Sequence, residues 1–221
     1  MLTLRAVTRP GETELSTPVG RARVHVDVAG SPRGRLVLGH GAGGGVEAPD
    51  LLAARDAGRS AGLEVVRVEQ PWRVAGHRVA VAPARLDVAW SAVLAALPPV
   101  PGPLVLGGRS AGARVACRTA TACGAHAVLA PAFPLHPPSR PERSRLDELL
   151  APAVPRLVVS GARDPFGVPP PSPGVQVHVV AGADHGFAVR RRDGRDAGSV
   201  AAELRRVVGD WLDGVLAQVL T

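Results

Sequence analysis

Apolar positions along this chain fall into short runs separated by longer stretches with helical spacing. The short runs are Arg21–Val28, Leu36–Leu38, Leu63–Val68, Leu104–Leu106, Ala127–Leu129, Leu157–Val159 and Val175–Val180, and each reads as a strand. The first alternates, with Val24, Val26 and Val28 on one face, which predicts a half-buried antiparallel strand near a sheet edge. Leu36–Leu38 has the unbroken apolar character of a strand buried on both faces. Between the runs, helices are predicted over residues 49–61, 84–97, 114–122, 144–150 and 199–216. In the second of these the spacing turns Val88, Ala92 and Ala95 inward. In the last, Val200, Leu204, Val207, Val208, Trp211 and Leu212 share a face. Residues 73–82 read as loop, and Val168–Pro173 as a proline-rich surface loop. Strands that alternate with helices through short linkers, with no internal repeat, predict an α/β fold: a mainly parallel, doubly wound sheet flanked by helices. The 221 residues fit one domain over residues 1–221.

Composition narrows the class. Hydrophobic residues make up 46% and charged residues 20% of the chain, as in soluble globular proteins. No apolar run is long enough to span a bilayer and the N-terminus lacks a signal-peptide core, so a cytoplasmic protein with no membrane partner is expected. The net charge of +7 comes from 26 basic residues that are all arginine; lysine, asparagine, isoleucine and tyrosine are missing. These four share AT-rich codons, which points to a GC-rich genome. The arginines are scattered apart from Arg190-Arg191-Arg192, which reads as a solvated charge run, so no nucleic-acid partner is expected. Without lysine the chain has no Schiff-base chemistry and no P-loop. Cys117 and Cys123 fall on different faces of one predicted helix, which argues against a disulfide, and two cysteines are too few for a thiolate metal site.

One stretch carries chemistry. Leu104–Leu106 runs into Gly107-Gly108-Arg109-Ser110-Ala111-Gly112 and then a helix, so a G-x-S-x-G pattern spans a strand, a tight turn and a helix. A nucleophilic serine needs such a turn to lift its hydroxyl above the sheet. The helix that follows aims free backbone N–H groups at any charge forming beside it. Upstream, Leu36–Leu38 runs into His40-Gly41-Ala42-Gly43-Gly44-Gly45. This loop reads as an oxyanion loop, with His40 bracing its backbone. It also satisfies a dinucleotide fingerprint through Gly39, Gly41 and Gly44, with Glu64 as the acid.

A serine hydroxyl is a poor nucleophile until a base takes its proton, and an imidazole held by a carboxylate does this. Open α/β sheets gather their active sites at the C-terminal ends of strands. Three strand-end loops carry Ser110, Asp164 and His185, in the nucleophile–acid–base order of one known arrangement. Asp184 competes with Asp164 but adjoins His185, whose ring it would strain to reach. His136 precedes the acid in sequence and is a candidate substrate contact instead.

The segments HGAGG (His40–Gly44), GGRSAGAR (Gly107–Arg114), PLHPPSRPER (Pro134–Arg143), SGARDPFG (Ser160–Gly167) and GADHGF (Gly182–Phe187) together resemble a group of small α/β-hydrolases related to dienelactone hydrolases. That group includes a domain of a eukaryotic chromatin-acetylation complex subunit. The resemblance covers about residues 18–215. It implies an α/β-hydrolase fold with nucleophile Ser110, acid Asp164 and base His185. Dienelactone hydrolases proper use cysteine where this chain has Ser110, so dienelactone activity is not carried over.

Lids in this fold are usually inserted after the strand that follows the nucleophile helix. Here residues 130–156 hold a loop and one short helix, which predicts no cap domain. Of the six aromatic residues, Trp72, Phe133, Phe166 and Phe187 follow strand ends and, with His136, are expected to line a substrate pocket. Trp90 and Trp211 read as helix core. Arg109 is a candidate for attracting an anionic substrate. The expectation is a serine hydrolase acting on an ester, thioester or lactone of a small acyl substrate. The backbone N–H groups of Ala42 and Ala111 would hold the oxyanion, with no metal and no organic cofactor. Peroxidase or C–C bond cleavage on the same triad, and a non-catalytic interaction module, are the alternatives; the oligomeric state is left open.

Overall fold

The structure, a computed structural model, describes residues 5–9, 11–28 and 30–219. Valine and leucine dominate its central strands, and successive residues point to opposite sides of the sheet. Leu36, Leu38, Val105, Leu129, Leu157 and Val159 therefore share one face, while Val37, Leu106, Val128 and Val158 share the other. Both faces are buried, which is why these strands read as unbroken apolar runs.

The strands are β1 (Arg5–Arg9), β2 (Glu12–Thr17), β3 (Gly20–Asp27), β4 (Arg35–Gly39), β5 (Glu64–Glu69), β6 (Leu104–Gly108), β7 (Ala127–Pro131), β8 (Arg156–Gly161) and β9 (Val175–Val180). They form one sheet in the order β1-β2-β3-β5-β4-β6-β7-β8-β9. The first three pair antiparallel, β3 also meets β5 antiparallel, and from β5 to β9 all neighbours are parallel. Helices α1 (Pro49–Ser60) and α6 (Ala197–Val219) cover one face. The other is covered by α3 (Pro83–Ala96), α4 (Ala111–Thr119) and α5 (Leu146–Leu150), with the single turn α2 (Pro71–Val74) beside them. A proline opens each of α1, α2 and α3, where its missing N–H has no intrahelical partner to lose and its φ suits the first turn. Among the described residues, no helix is long and apolar enough to cross a membrane.

Three expectations are corrected. The alternating strand β3 is antiparallel and part-buried, third from the sheet edge, as expected, but Val28 lies past its end and is 60% exposed instead of sharing a strand face with Val24 and Val26. In α3 the buried residues are Leu86, Ala89, Trp90 and Val93, while Val88 is exposed. The bulk of Trp90, fully buried, sets the helix rotation, and small alanines fit either side. Helix α4 starts at the turn that carries Ser110 and ends at Thr119, so Cys123 lies beyond it; both cysteines are free.

Candidate active site

The chain passes from β5 to β6 across β4, so the order reverses between β4 and β6, where open α/β sheets form their crevice. Both glycine motifs end there. Ser110 has φ 52° and ψ −109°, a sparsely populated conformation costing about 1–3 kcal/mol. The turn is locked: Arg109 N–H donates to Gly39 O at 2.9 Å, and Ser110 N–H to Pro131 O at 3.1 Å. Side chains at Gly108 and Gly112 would not fit, since a Cβ would fall 2.4 and 2.3 Å from the Gly39 carbonyl oxygen. These contacts hold the Ser110 hydroxyl 3.0 Å from Nε2 of His185.

Asp164 sits in a tight turn after β8, its N–H donating to Gly161 O and its carbonyl accepting from Gly167 N–H, both at 3.1 Å. Its side chain is fully buried. Oδ1 accepts the Phe166 N–H at 2.8 Å, and Oδ2 lies 2.8 Å from His185 Nδ1. An ionised carboxylate only accepts, so Nδ1 carries the proton and leaves Nε2 free to accept from Ser110. The Phe166 ring packs on the imidazole, with centroids 4.3 Å apart and planes inclined by 36°. Asp184 instead shapes the turn that carries His185, its Oδ1 accepting the N–H groups of Gly186 and Ala188 at 2.8 and 3.0 Å. Arg163 binds this turn to the acid loop through Gly182 O at 2.8 Å and Ala188 O at 3.3 Å.

The loop after β4 passes against the serine, where a Cβ on Gly41 would lie 3.4 Å from Ser110 Cβ. His40 Nε2 accepts the Gln70 N–H at 3.1 Å, so Nδ1–H donates to Gly41 O at 2.8 Å. Burial lowers the pKa of His40 and keeps it in the neutral form this pattern requires. The N–H groups of Ala42 and Ala111 have no acceptor among the described residues, and Ala111 is the first residue of α4. Glu64 opens β5 at the opposite end of the strands, paired with Arg35 at 2.5 Å. The dinucleotide reading thereby loses its acid at the glycine loop.

Of the aromatic residues expected to line a pocket, Phe166 alone has a ring contact with Ser110, Asp164 or His185 among the described residues. Phe133 is fully buried in the core beneath α4 and presents no surface. Trp72 is 4% exposed and packs on His40 at 5.5 Å between ring centroids, supporting the loop from behind. Phe187, at φ 60°, plugs the core under α1 and α6 and anchors the His185 turn. Their apolar bulk was worth more inside than at an open site. His136 lies on the acid loop: its N–H donates to Phe166 O at 3.0 Å, and a Cβ on Gly167 would strike its ring. Arg109, expected to face an anion, is engaged internally, with Nε 3.0 Å from Asp50 Oδ2 and Nη2 donating to His185 O at 3.1 Å. Beside it a cleft of about 960 Å³ is lined by Gly44, Glu47, Glu69, Arg23, Arg73 and Arg109, among others. Sequence reasoning gave no role to Asp50 or Arg163; nothing local in the sequence marks either as facing another loop.

A family model described as "Alpha/beta hydrolase domain" matches residues 32–213. Among solved structures, the fold is similar to a lidless α/β serine hydrolase from Xanthomonas campestris: 20% identity, 95% of this chain and 94% of that chain covered, TM-score 0.68. It is also similar to an α/β serine hydrolase homologue from Coxiella burnetii (18% identity, 94% and 100% covered, TM-score 0.66). A dienelactone hydrolase from Anabaena variabilis shares it too (15% identity, 94% and 95% covered, TM-score 0.62). Among curated proteins, no sequence matches significantly.

Proposed function

The chain belongs to the α/β-hydrolase family, and from that premise we propose that it is a serine hydrolase cleaving an ester, thioester or lactone of a small acyl compound. The observation that carries this reading is the unbroken line from Ser110 Oγ through the imidazole of His185 to the buried carboxylate of Asp164, at 3.0 and 2.8 Å. As the Ser110 oxygen attacks the acyl carbon, Nε2 of His185 takes its proton and Asp164 stabilises the imidazolium. The oxyanion of the tetrahedral intermediate is held by the N–H groups of Ala42 and Ala111, which are free to turn to it. His185 then returns the proton to the leaving alcohol or thiol. Water, activated by the same imidazole, releases the acyl group from Ser110. Phe166 limits the freedom of the ring, and His136 is a substrate contact at the acid loop. The cleft next to the oxyanion loop has charged walls, which favours a polar group on the part of the substrate that extends there.

The test is reaction of the full chain with a fluorophosphonate, followed by mapping of the modified peptide. Label on Ser110, absent from Ser110→Ala, is the expected result. Folded wild-type protein that takes no label, or takes it on another serine, overturns the assignment.

A further inference from the structure

We infer that Arg109 is a positioning residue that, braced by Asp50, ties the main chain of His185 to the turn carrying Ser110. This rests on the hydrolase reading for its kinetic consequence and extends it to residues outside the triad.

The His185 ring is gripped by Asp164 and Ser110, but a ring is only as well placed as its backbone. Asp184 shapes the turn locally and Arg163 ties its flanks to the acid loop. The carbonyl of His185 itself accepts from Arg109 Nη2 at 3.1 Å. Arg109 is the residue immediately before the nucleophile, and its own backbone is fixed: N–H to Gly39 O at 2.9 Å, and O accepting Gly112 N–H at 2.8 Å. The guanidinium therefore joins base and nucleophile by a path that does not pass through the reacting atoms.

Its other end is held by charge rather than by a hydrogen bond, since neither Arg109 Nε nor Asp50 Oδ2 has a hydrogen-bond partner among the described residues. Nε lies 3.0 Å from Oδ2 of Asp50, whose side chain is 3% exposed. Asp50 stands in the first turn of α1, and its carboxylate is further favoured there by backbone N–H groups of Asp50 and Leu51. Burial pushes the Asp50 carboxyl above the ordinary carboxylate range, and the charge of Arg109 opposes the rise. The guanidinium also lies beside both neighbouring loops: the Cβ position of Gly186 is 3.6 Å from Nη2, and that of Gly44 is 3.5 Å from Nη1. One planar group thus meets α1, the oxyanion loop and the His185 turn. The ammonium of lysine, a single point charge, does not span three sides.

Three variants of the full chain test this. Arg109→Lys keeps a charge opposite Asp50 but loses the fork. Arg109→Met removes both but leaves a buried carboxylate unpaired, so it is accompanied by Arg109→Met/Asp50→Leu, which removes the pair together. The readouts are amide hydrogen exchange at Gly186 and Ala188, and kcat and KM for p-nitrophenyl acetate. In Arg109→Lys and the double variant, exchange at these two amides is expected to rise roughly 10- to 100-fold, the factor for losing one hydrogen bond to a charged group. Exchange in β4 to β8 stays as in wild type. The kcat is expected to fall roughly 10- to 100-fold with KM changed less than about twofold, as for lost alignment rather than lost binding. The inference is overturned if kcat stays within about twofold of wild type in both variants, whether or not the turn loosens. Wild-type protein that neither turns over ester nor takes fluorophosphonate removes the hydrolase reading, and exchange at Gly186 and Ala188 alone then decides the tie.

Discussion

Nδ1 of His185 meets Oδ2 of Asp164 at 2.8 Å, although the two residues are 21 positions apart. The adjacent Asp184 turns its carboxylate to the backbone instead. Asp164→Asn should therefore lower kcat on the order of 10⁴-fold, as loss of the tautomer-fixing acid does in serine proteases. Asp184→Asn keeps an acceptor for Gly186 and Ala188 and should cost less than about tenfold. Ester kinetics of the two variants side by side check this; the reverse ranking would place the acid on the other residue.

The glycine pattern makes a stability prediction with an internal control. A Cβ at Gly112 would lie 2.3 Å from the Gly39 carbonyl oxygen, which is backbone and has no room to retreat. Gly112→Ala should cost about 3 kcal/mol or more. Gly214, in α6, has nothing within 4 Å of its Cβ position, so Gly214→Ala should add about 1 kcal/mol through helix propensity. Urea unfolding of both variants measures the contrast.

The acyl-chain dependence reports on enclosure. Between β7 and β8 lie only a loop and the five residues of α5, so no cap buries a long acyl chain. Between acetate and octanoate esters of one phenol, kcat/KM should change less than about tenfold. A buried chain would gain about 0.8 kcal/mol, close to fourfold, per methylene. A climb of that steepness would mean an enclosed tunnel.

Stability should fall in mild acid through His40. Its folded pKa is lowered by burial, so below the unfolded value of about 6.5 the unfolded chain binds a proton that the folded chain refuses. Stability is full above that pH and is lost as pH drops toward the folded pKa. His25, also lowered chiefly by burial, acts in the same direction. Unfolding free energies at pH 7.5, 6.5 and 5.5 should decline for wild type and decline less for His40→Gln. Equal slopes would show that the proton is taken up elsewhere.

The two cysteines should separate by reactivity. Burial pushes the Cys117 thiol up to about 12, leaving almost no thiolate at neutral pH, whereas Cys123 is only half-buried. A disulfide reagent should modify one thiol in the folded protein, at Cys123, and both after unfolding. Rapid modification of Cys117 in the native state would contradict its burial.

Much of the layout was readable in the chain because it follows from local constraints. A strand buried on both faces must be apolar throughout, so β4, β6, β7 and β8 announced themselves. A serine on a turn pressed against a neighbouring strand must be flanked by residues without side chains, so Gly108 and Gly112 marked it. Parallel strands deliver their following loops to one edge, which made a meeting of Ser110, Asp164 and His185 a reasonable expectation. No such rule marked β1 and β2: Arg5–Arg9 and Glu12–Thr17 mix charged, hydroxyl and apolar residues, and they form strands by pairing onto β3.

What tertiary structure decided was the direction of side chains that local pattern leaves free. Trp72, Phe133 and Phe187 follow strand ends at the edge that carries Ser110, Trp72 in α2 and the others on loops, yet each turns inward, because a large apolar ring gains more from a closed core than from an open site. Which of Asp164 and Asp184 lies against the His185 ring depends on where two loops come to rest, a property of β8 and β9 side by side rather than of distance along the chain. Arg109 and Asp50 are linked in the same way. The polar positions of one loop do not say which other loop it faces, and a single 3.0 Å ion pair across the switch point exists only once the sheet has brought β4 and β6 together.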